Sequence, residues 1–161
     1  MKRPATHDHR SELLRGKAPF NQLRNAVYAF ASFLRRSGRD DVAADLRTMG
    51  RNVARTFSAY WLPGDGALAD RLRQTYRFAT GARASVSTDA DGEVVVVETK
   101  HCRFCNYPVP GAPTAGCELV VGFVAELLGL DAEGVRASRA FGDQSCVHAF
   151  RPRDEDAPAG R

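Results

Sequence analysis

Four cysteines, Cys102, Cys105, Cys117 and Cys146, are the residues of this chain best suited to chemistry. Cys102 and Cys105 form a C-x-x-C pair, in which a tight turn lets two thiolates converge on one tetrahedral ion at about 2.3 Å. Cys117 opens an apolar run that reads as a helix, where the N-terminal dipole favours a thiolate. Cys146 and His148 lie two residues apart in a β-type run, so they share one face of a strand. The set predicts a structural zinc site built from Cys102, Cys105, Cys117 and either Cys146 or His148. An iron–sulfur cluster is the alternative cofactor, and a reactive thiol a third use of the same residues. Against all three stands the reading that these cysteines are small core hydrophobes. The spacing C-x2-C-x11-C-x28-C is not a zinc-ribbon repeat, because only one half is a C-x-x-C. His101 points away from Cys102 if the strand continues, and His7 and His9 lie in a polar leading segment.

Other chemistry is poorly provided for. The 161 residues contain no P-loop, no G-x-S-x-G and no G-x-G-x-x-G, which removes most support for nucleotide-dependent and hydrolase functions. No flavin or nicotinamide fingerprint is present, so an enzyme is the less favoured class. The first ten residues have a basic start with no apolar segment behind it, and no run approaches the roughly 18–20 apolar residues of a membrane span. The expectation is a cytoplasmic protein. Thiols stay reduced there, which favours metal or reactive-cysteine roles over disulfides.

Composition and charge describe what must hold these residues. An apolar fraction of 43% at this length suits one domain with a real core. Residues 1–83 carry 16 basic and 7 acidic groups, a balance of +9, whereas residues 84–161 carry 7 and 12, a balance of −5. The plain reading is an arginine-rich solvated helix surface. The alternatives are an anionic partner, or complementary surfaces between the halves or between protomers. Arg47, Arg51 and Arg55 at i, i+4 and i+8 form one basic stripe, yet nucleic acid remains the least favoured partner.

Residues 1–18 read as a loose segment, 19–151 as a single domain and 152–161 as a loose tail. Leu23, Val27, Phe30 and Leu34 predict a helix from Phe20 to a stop at Ser37-Gly38. Asp40 or Asp41 caps a second, which ends before Pro63-Gly64, and a third runs from Asp65 to near Gly81. The period then changes to two over Ala84–Thr88 and Glu93–Thr99, joined by an Asp-Gly turn, which is a hairpin. Pro108, Pro110, Gly111 and Pro113 mark a loop. A helix over Gly116–Leu128 is apolar almost all round and therefore buried. A second hairpin pairs Val135–Phe141 with Ser145–Arg151 around Gly142-Asp143. The order ααα-ββ-α-ββ is an α+β fold with an antiparallel sheet.

Three stretches carry a family likeness: Asn106-Tyr107-Pro108-Val109-Pro110, the helix Cys117-Glu118-Leu119-Val120-Val121-Gly122-Phe123-Val124-Ala125-Glu126-Leu127-Leu128, and the ending Gly142-Asp143-Gln144-Ser145-Cys146-Val147-His148-Ala149-Phe150. They resemble the 4-vinyl reductase (4VR) domain family, distantly related to the TRAPP core subunits, across about residues 20–151. The chain departs from the family pattern where Ser138, Arg139 and Ala140 stand in place of a further cysteine, and where His148 replaces an aromatic. This leaves Cys102 and Cys105 to supply the missing ligands. The resemblance implies a domain that holds an apolar or hydrocarbon-like molecule between helices and sheet, sometimes with zinc. It also implies a sensory role beside signalling or transcription partners, or a link to tetrapyrrole vinyl reduction. With no output domain in this chain, such a sensor is expected to act through a partner. A TRAPP-like adaptor, a homodimer formed through helix faces, is the third implied role. Phe30, Phe57, Trp61, Tyr76 and Phe123 can line the implied pocket, or simply fill the core. Gly122 inside the buried helix predicts a close backbone approach.

Overall fold

The computed structural model describes residues 9–99, 102 and 115–153. Helix α1 (His9–Arg36) starts well before the apolar run at Phe20, so the segment read as loose contributes the helix's first turns. It stops at Gly38, whose φ of +77° suits a residue without a Cβ. Asp41 caps α2 (Val42–Phe57) by accepting from the Ala44 amide at 2.9 Å. Helix α3 (Leu68–Thr80) closes on Gly81 in the left-handed conformation. The first hairpin, β1 (Ala84–Thr88) and β2 (Val94–Glu98), matches its pattern. Its turn is tied by the Asp89 carboxylate, which accepts from the Asp91 and Glu93 amides at 2.9 Å each.

After α4 (Ala115–Leu128), the chain reverses at Gly129 straight into β3 (Leu130–Ala137). The expected strand over Val135–Phe141 is thus displaced towards the N-terminus. Residues Arg139–Phe141 instead wind into a single 3-10 turn capped by Ser138. Register shifts at Ala132/Gly134 and Val135/Ala137 break the two-residue alternation, which is why the pattern concealed this strand. Strand β4 (Val147–Pro152) completes a four-stranded antiparallel sheet of order β1-β2-β4-β3, and so carries the chain one residue into the segment read as tail.

The apolar character of α4 follows from its place between α2 on one side and the sheet with α3 on the other. Val120, Val121 and Val124 share one core with Leu72 and Tyr76 of α3, and with Val94, Val96 and Phe150 of the sheet. Leu119 faces a smaller core with Val27, Tyr28 and Ala31 of α1 and Leu46 of α2. Helices α2 and α4 run parallel in backbone contact. A methyl carbon built on Gly50 would fall on the Leu119 carbonyl oxygen, and one on Gly122 on that of Arg47. The expected packing role of Gly122 is thereby explained, and Gly50 is its counterpart. Two ion pairs with the same offset of 71 residues flank these contacts, Arg47–Glu118 and Arg55–Glu126.

Candidate functional site

Strand register assembles the first candidate site. Strands β2 and β4 set Val94 opposite Phe150, Val96 opposite His148 and Val97 opposite Val147. One step further, the Glu98 amide donates to the Cys146 carbonyl at 2.9 Å. The inward face therefore runs from apolar pairs to a carboxyl beside a thiol. Glu98 is 1% exposed, and neither of its carboxyl oxygens has a hydrogen-bond partner among the described residues. Burial, and then the negative charge of Cys102 and Cys146, push this carboxyl up to about 9, against the opposing pull of Arg139. Without a cation beside it, Glu98 holds a proton at neutral pH.

Beside this pair, the Tyr76 hydroxyl lies 2.7 Å from His148 Nδ1, with the rings 5.7 Å apart. Both side chains are fully buried. Burial, with smaller contributions from Glu98, Cys117, Cys102 and Cys146, raises the Tyr76 phenol well above its ordinary value. Burial also holds His148 down to about 4, so the imidazole is neutral. The other ring nitrogen, Nε2, has no partner among the described residues.

The expected metal set divides accordingly. Cys102, Cys117 and Cys146 are buried thiols in one core cluster. The sulfur of Cys117, however, lies 3.5 Å from the Ser138 hydroxyl, and His148 is turned to Tyr76. Cys105 lies outside the described residues. Among the described residues, no three His, Cys, Asp or Glu side chains form a group able to hold a metal ion as they stand. The Glu98 carboxyl, raised by burial and then by Cys102 and Cys146, is left without a hydrogen-bond partner among the described residues. Sequence reasoning missed Glu98. Its signal was its phase: it ends a strand in register with the inward-facing Val94 and Val96.

The second candidate site is an open apolar groove of about 780 Å³ over α1 and α2, lined by Phe30, Leu34, Met49, Val53, Phe57 and Tyr60. An Arg39–Asp45 ion pair, with contacts of 2.8 and 2.6 Å, borders it. Only Phe30 and Phe57 of the five expected pocket residues line this groove. Trp61 stacks on Phe78 at 4.3 Å, and Phe57 reaches Phe123 at 5.7 Å, which makes an aromatic cluster. Tyr76 is held in the core by His148. This groove lies on the helical face away from the core that α4 shares with α3 and the sheet.

No protein-family model and no curated protein matches the chain. Among solved structures, it is similar to a trafficking protein particle complex subunit 3 from Naegleria fowleri, determined covalently bound to palmitic acid. The TM-score is 0.63 at 14% identity, covering 84% of this chain and 95% of the other. Likeness at that identity is one of fold, and it agrees with the TRAPP side of the sequence resemblance.

Proposed function

We propose that this chain is a non-enzymatic binding module for a long apolar ligand of the fatty-acyl class, acting through a partner protein or a second copy of itself. The observation that carries the reading is the groove. Phe30, Leu34, Met49, Val53, Phe57 and Tyr60 present an apolar lining, set among Thr48, Asn52, Thr56 and the Arg39–Asp45 pair, on the outside of a fold whose solved counterpart carries palmitate. Exposed apolar side chains concentrated in one patch mark a binding surface rather than scattered surface residues. Phe30 and Phe33, which stack at 6.5 Å while 40% and 55% exposed, extend that patch along α1.

The 4VR resemblance belongs to the same reading, with zinc as its cofactor and the thiols around Glu98 as its holders. An ion there would supply rigidity, tying the chain beyond β2 to the start of β4. A vinyl-reductase-like role finds less support, because the sequence carries no flavin or nicotinamide fingerprint. No helix among the described residues is long and apolar enough to cross a membrane.

The test is titration of delipidated protein with a fluorescent long-chain fatty acid, and its displacement by palmitate. Wild type is expected to bind saturably, and Val53→Asp, on an exposed position of the groove, to weaken binding at least tenfold with an unchanged melting temperature. Absence of saturable binding by wild type, or wild-type affinity in Val53→Asp, would sink the proposal.

A further inference from the structure

We infer that the outer helical face docks on an anionic lipid surface, with Tyr60, Trp61 and Leu62, just beyond α2, as the segment that enters the bilayer interface. The inference rests on the acyl-binding reading for what the contact accomplishes, delivery of a chain from bilayer to groove, and on its own observations for the contact itself. Among the described residues seven large apolar side chains are exposed, and all but Phe141 belong to the helical half: Phe30, Phe33, Val53, Tyr60, Leu62 and Phe78. They form one tract rather than scattered positions. Phe33 stacks on Phe30, and Phe30 lines the groove with Val53, Phe57 and Tyr60. Phe57 in turn meets Phe78 at 5.3 Å, and Trp61 stacks on Phe78. Past the groove the tract leaves regular structure, carrying Tyr60 at 84% exposure and Leu62 at 59% before α3 begins at Leu68. Tryptophan and tyrosine, apolar rings with one polar atom, settle at the level of lipid headgroups, and a leucine between them and the acyl boundary gains by burial.

Charge selects the occupant. Residues 1–83 hold 16 basic and 7 acidic groups, and taking away Arg47 and Arg55, which pair with Glu118 and Glu126, leaves 14 against 7. Two of these cations border the apolar tract at exposed positions: Arg36, three residues from Phe33 on the same helix, and Arg77, next to Phe78. Arg71 and Asp65 share a small hollow with Leu62. A second copy of the chain would set this face against its own image and bring like charge against like. An anionic lipid surface does the reverse, each basic group near it strengthening attachment roughly fivefold. Tyr60 belongs to the groove as well as to the exposed segment, so an acyl chain leaving the bilayer there enters the groove without crossing water.

The experiment mixes delipidated protein with vesicles of phosphatidylcholine, with or without phosphatidylserine, and follows sedimentation and tryptophan emission. Trp61 is the chain's only tryptophan, so its emission reports the docking segment directly. Wild type is expected to bind the serine-lipid vesicles more tightly than the neutral ones, with emission moved to shorter wavelength and quenched by brominated lipid. Leu62→Glu, at an exposed position outside the groove lining, should lose about tenfold or more in vesicle binding. Its melting temperature and its fatty-acid affinity without vesicles should stay those of wild type, while transfer of fluorescent fatty acid from vesicles slows. Arg36→Glu with Arg77→Glu should remove the preference for anionic vesicles. No vesicle binding by wild type, equal binding to both vesicle types, wild-type binding or transfer in Leu62→Glu, or a wild-type dimer dispersed by Leu62→Glu overturns the inference. Saturable fatty-acid binding in any of those cases leaves the acyl reading standing; vesicle binding without it removes that reading and keeps the docking face.

Discussion

A single methyl group at Gly122 tests the central contact of the fold. Its carbon would lie against the Arg47 carbonyl oxygen, 2.7 Å from the carbonyl carbon and 2.8 Å from the Arg47 Cα. Carbon atoms rest at about 3.5–4.0 Å, so α2 and α4 would have to part by roughly 0.8 Å or more. No side chain can rotate aside, because the obstruction is backbone on both helices. Nor can α4 retreat, since its far side is packed into the sheet and α3. Overpacking costs about 1–3 kcal/mol, and this case belongs at the upper end or beyond. Against that stands the helix-propensity gain of alanine over glycine, about 1 kcal/mol. The expected net loss is about 2–3 kcal/mol, a fall in melting temperature of roughly 4–12 °C for a domain of this size. Gly50→Ala meets Leu119 and Phe123 backbone in the same way, with the Phe123 nitrogen at 2.8 Å, and should cost a similar amount. Once either methyl has spread the helices, the second meets less resistance, so the double variant should lose less than the sum. Gly64→Ala is the control: its nearest neighbour would be the flexible end of Gln74 at 3.6 Å, and its melting should change little. Circular dichroism melts and urea titrations of the four variants decide the matter. Gly122→Ala and Gly50→Ala melting at or above wild type would refute the close helix contact.

Two further predictions follow from the flanking ion pairs. Arg47→Ala should destabilise by about 1–3 kcal/mol, because it leaves Glu118, with its side chain only 6% exposed, buried without its cation, whereas Arg55→Ala should cost about 1 kcal/mol or less. Urea unfolding at pH 7 gives the comparison, and equal losses would contradict the difference in burial. The Glu126 carboxyl is held below its ordinary range chiefly by the hydrogen bond from Arg55, so the unfolded chain takes up its proton at higher pH than the folded one. Its contribution is complete above the usual carboxylate range and is lost as pH falls through the depressed value. Subtracting unfolding free energies of Arg55→Gln from wild type at pH 7 and pH 3 should give a larger difference at pH 7; an unchanged difference would dissociate the pair from stability.

How much of this was legible in the sequence depended on whether each segment met one neighbour or several. Helices α2 and α3 and the first hairpin each turn a single face inward, so their apolar spacing declared them. Leu46 and Ala54 mark the buried side of α2, and Val94, Val96 and Glu98 that of β2. Strand β3 did not show itself because its bulges place Gly134 and Val135 out of alternation. The pocket aromatics were chosen by size, and size does not reveal that Tyr76 is bound to a histidine 72 residues away while Phe30 faces outward. Among the thiols, nearness was foreseeable and partnership was not. C-x-x-C spacing says nothing of a serine at position 138 that meets Cys117, or of a glutamate whose amide bonds the Cys146 carbonyl.

The unequal charges of the two halves acquire a structural meaning from the same contacts. Arg47 and Arg55 of the basic half meet Glu118 and Glu126 of the acidic half along parallel helices, and Gly50 and Gly122 bring the backbones together between those pairs. Two members of the basic stripe are thereby spent inside the domain. A nucleic-acid footprint needs cations that can exchange counterions for phosphates, and an arginine already paired to a carboxylate gains less by doing so. The opposite face of α2 carries Met49, Val53 and Phe57, and this is where the groove lies. One helix thus separates the two roles: its charged side fastens it to α4, and its apolar side lines the groove proposed as the ligand site.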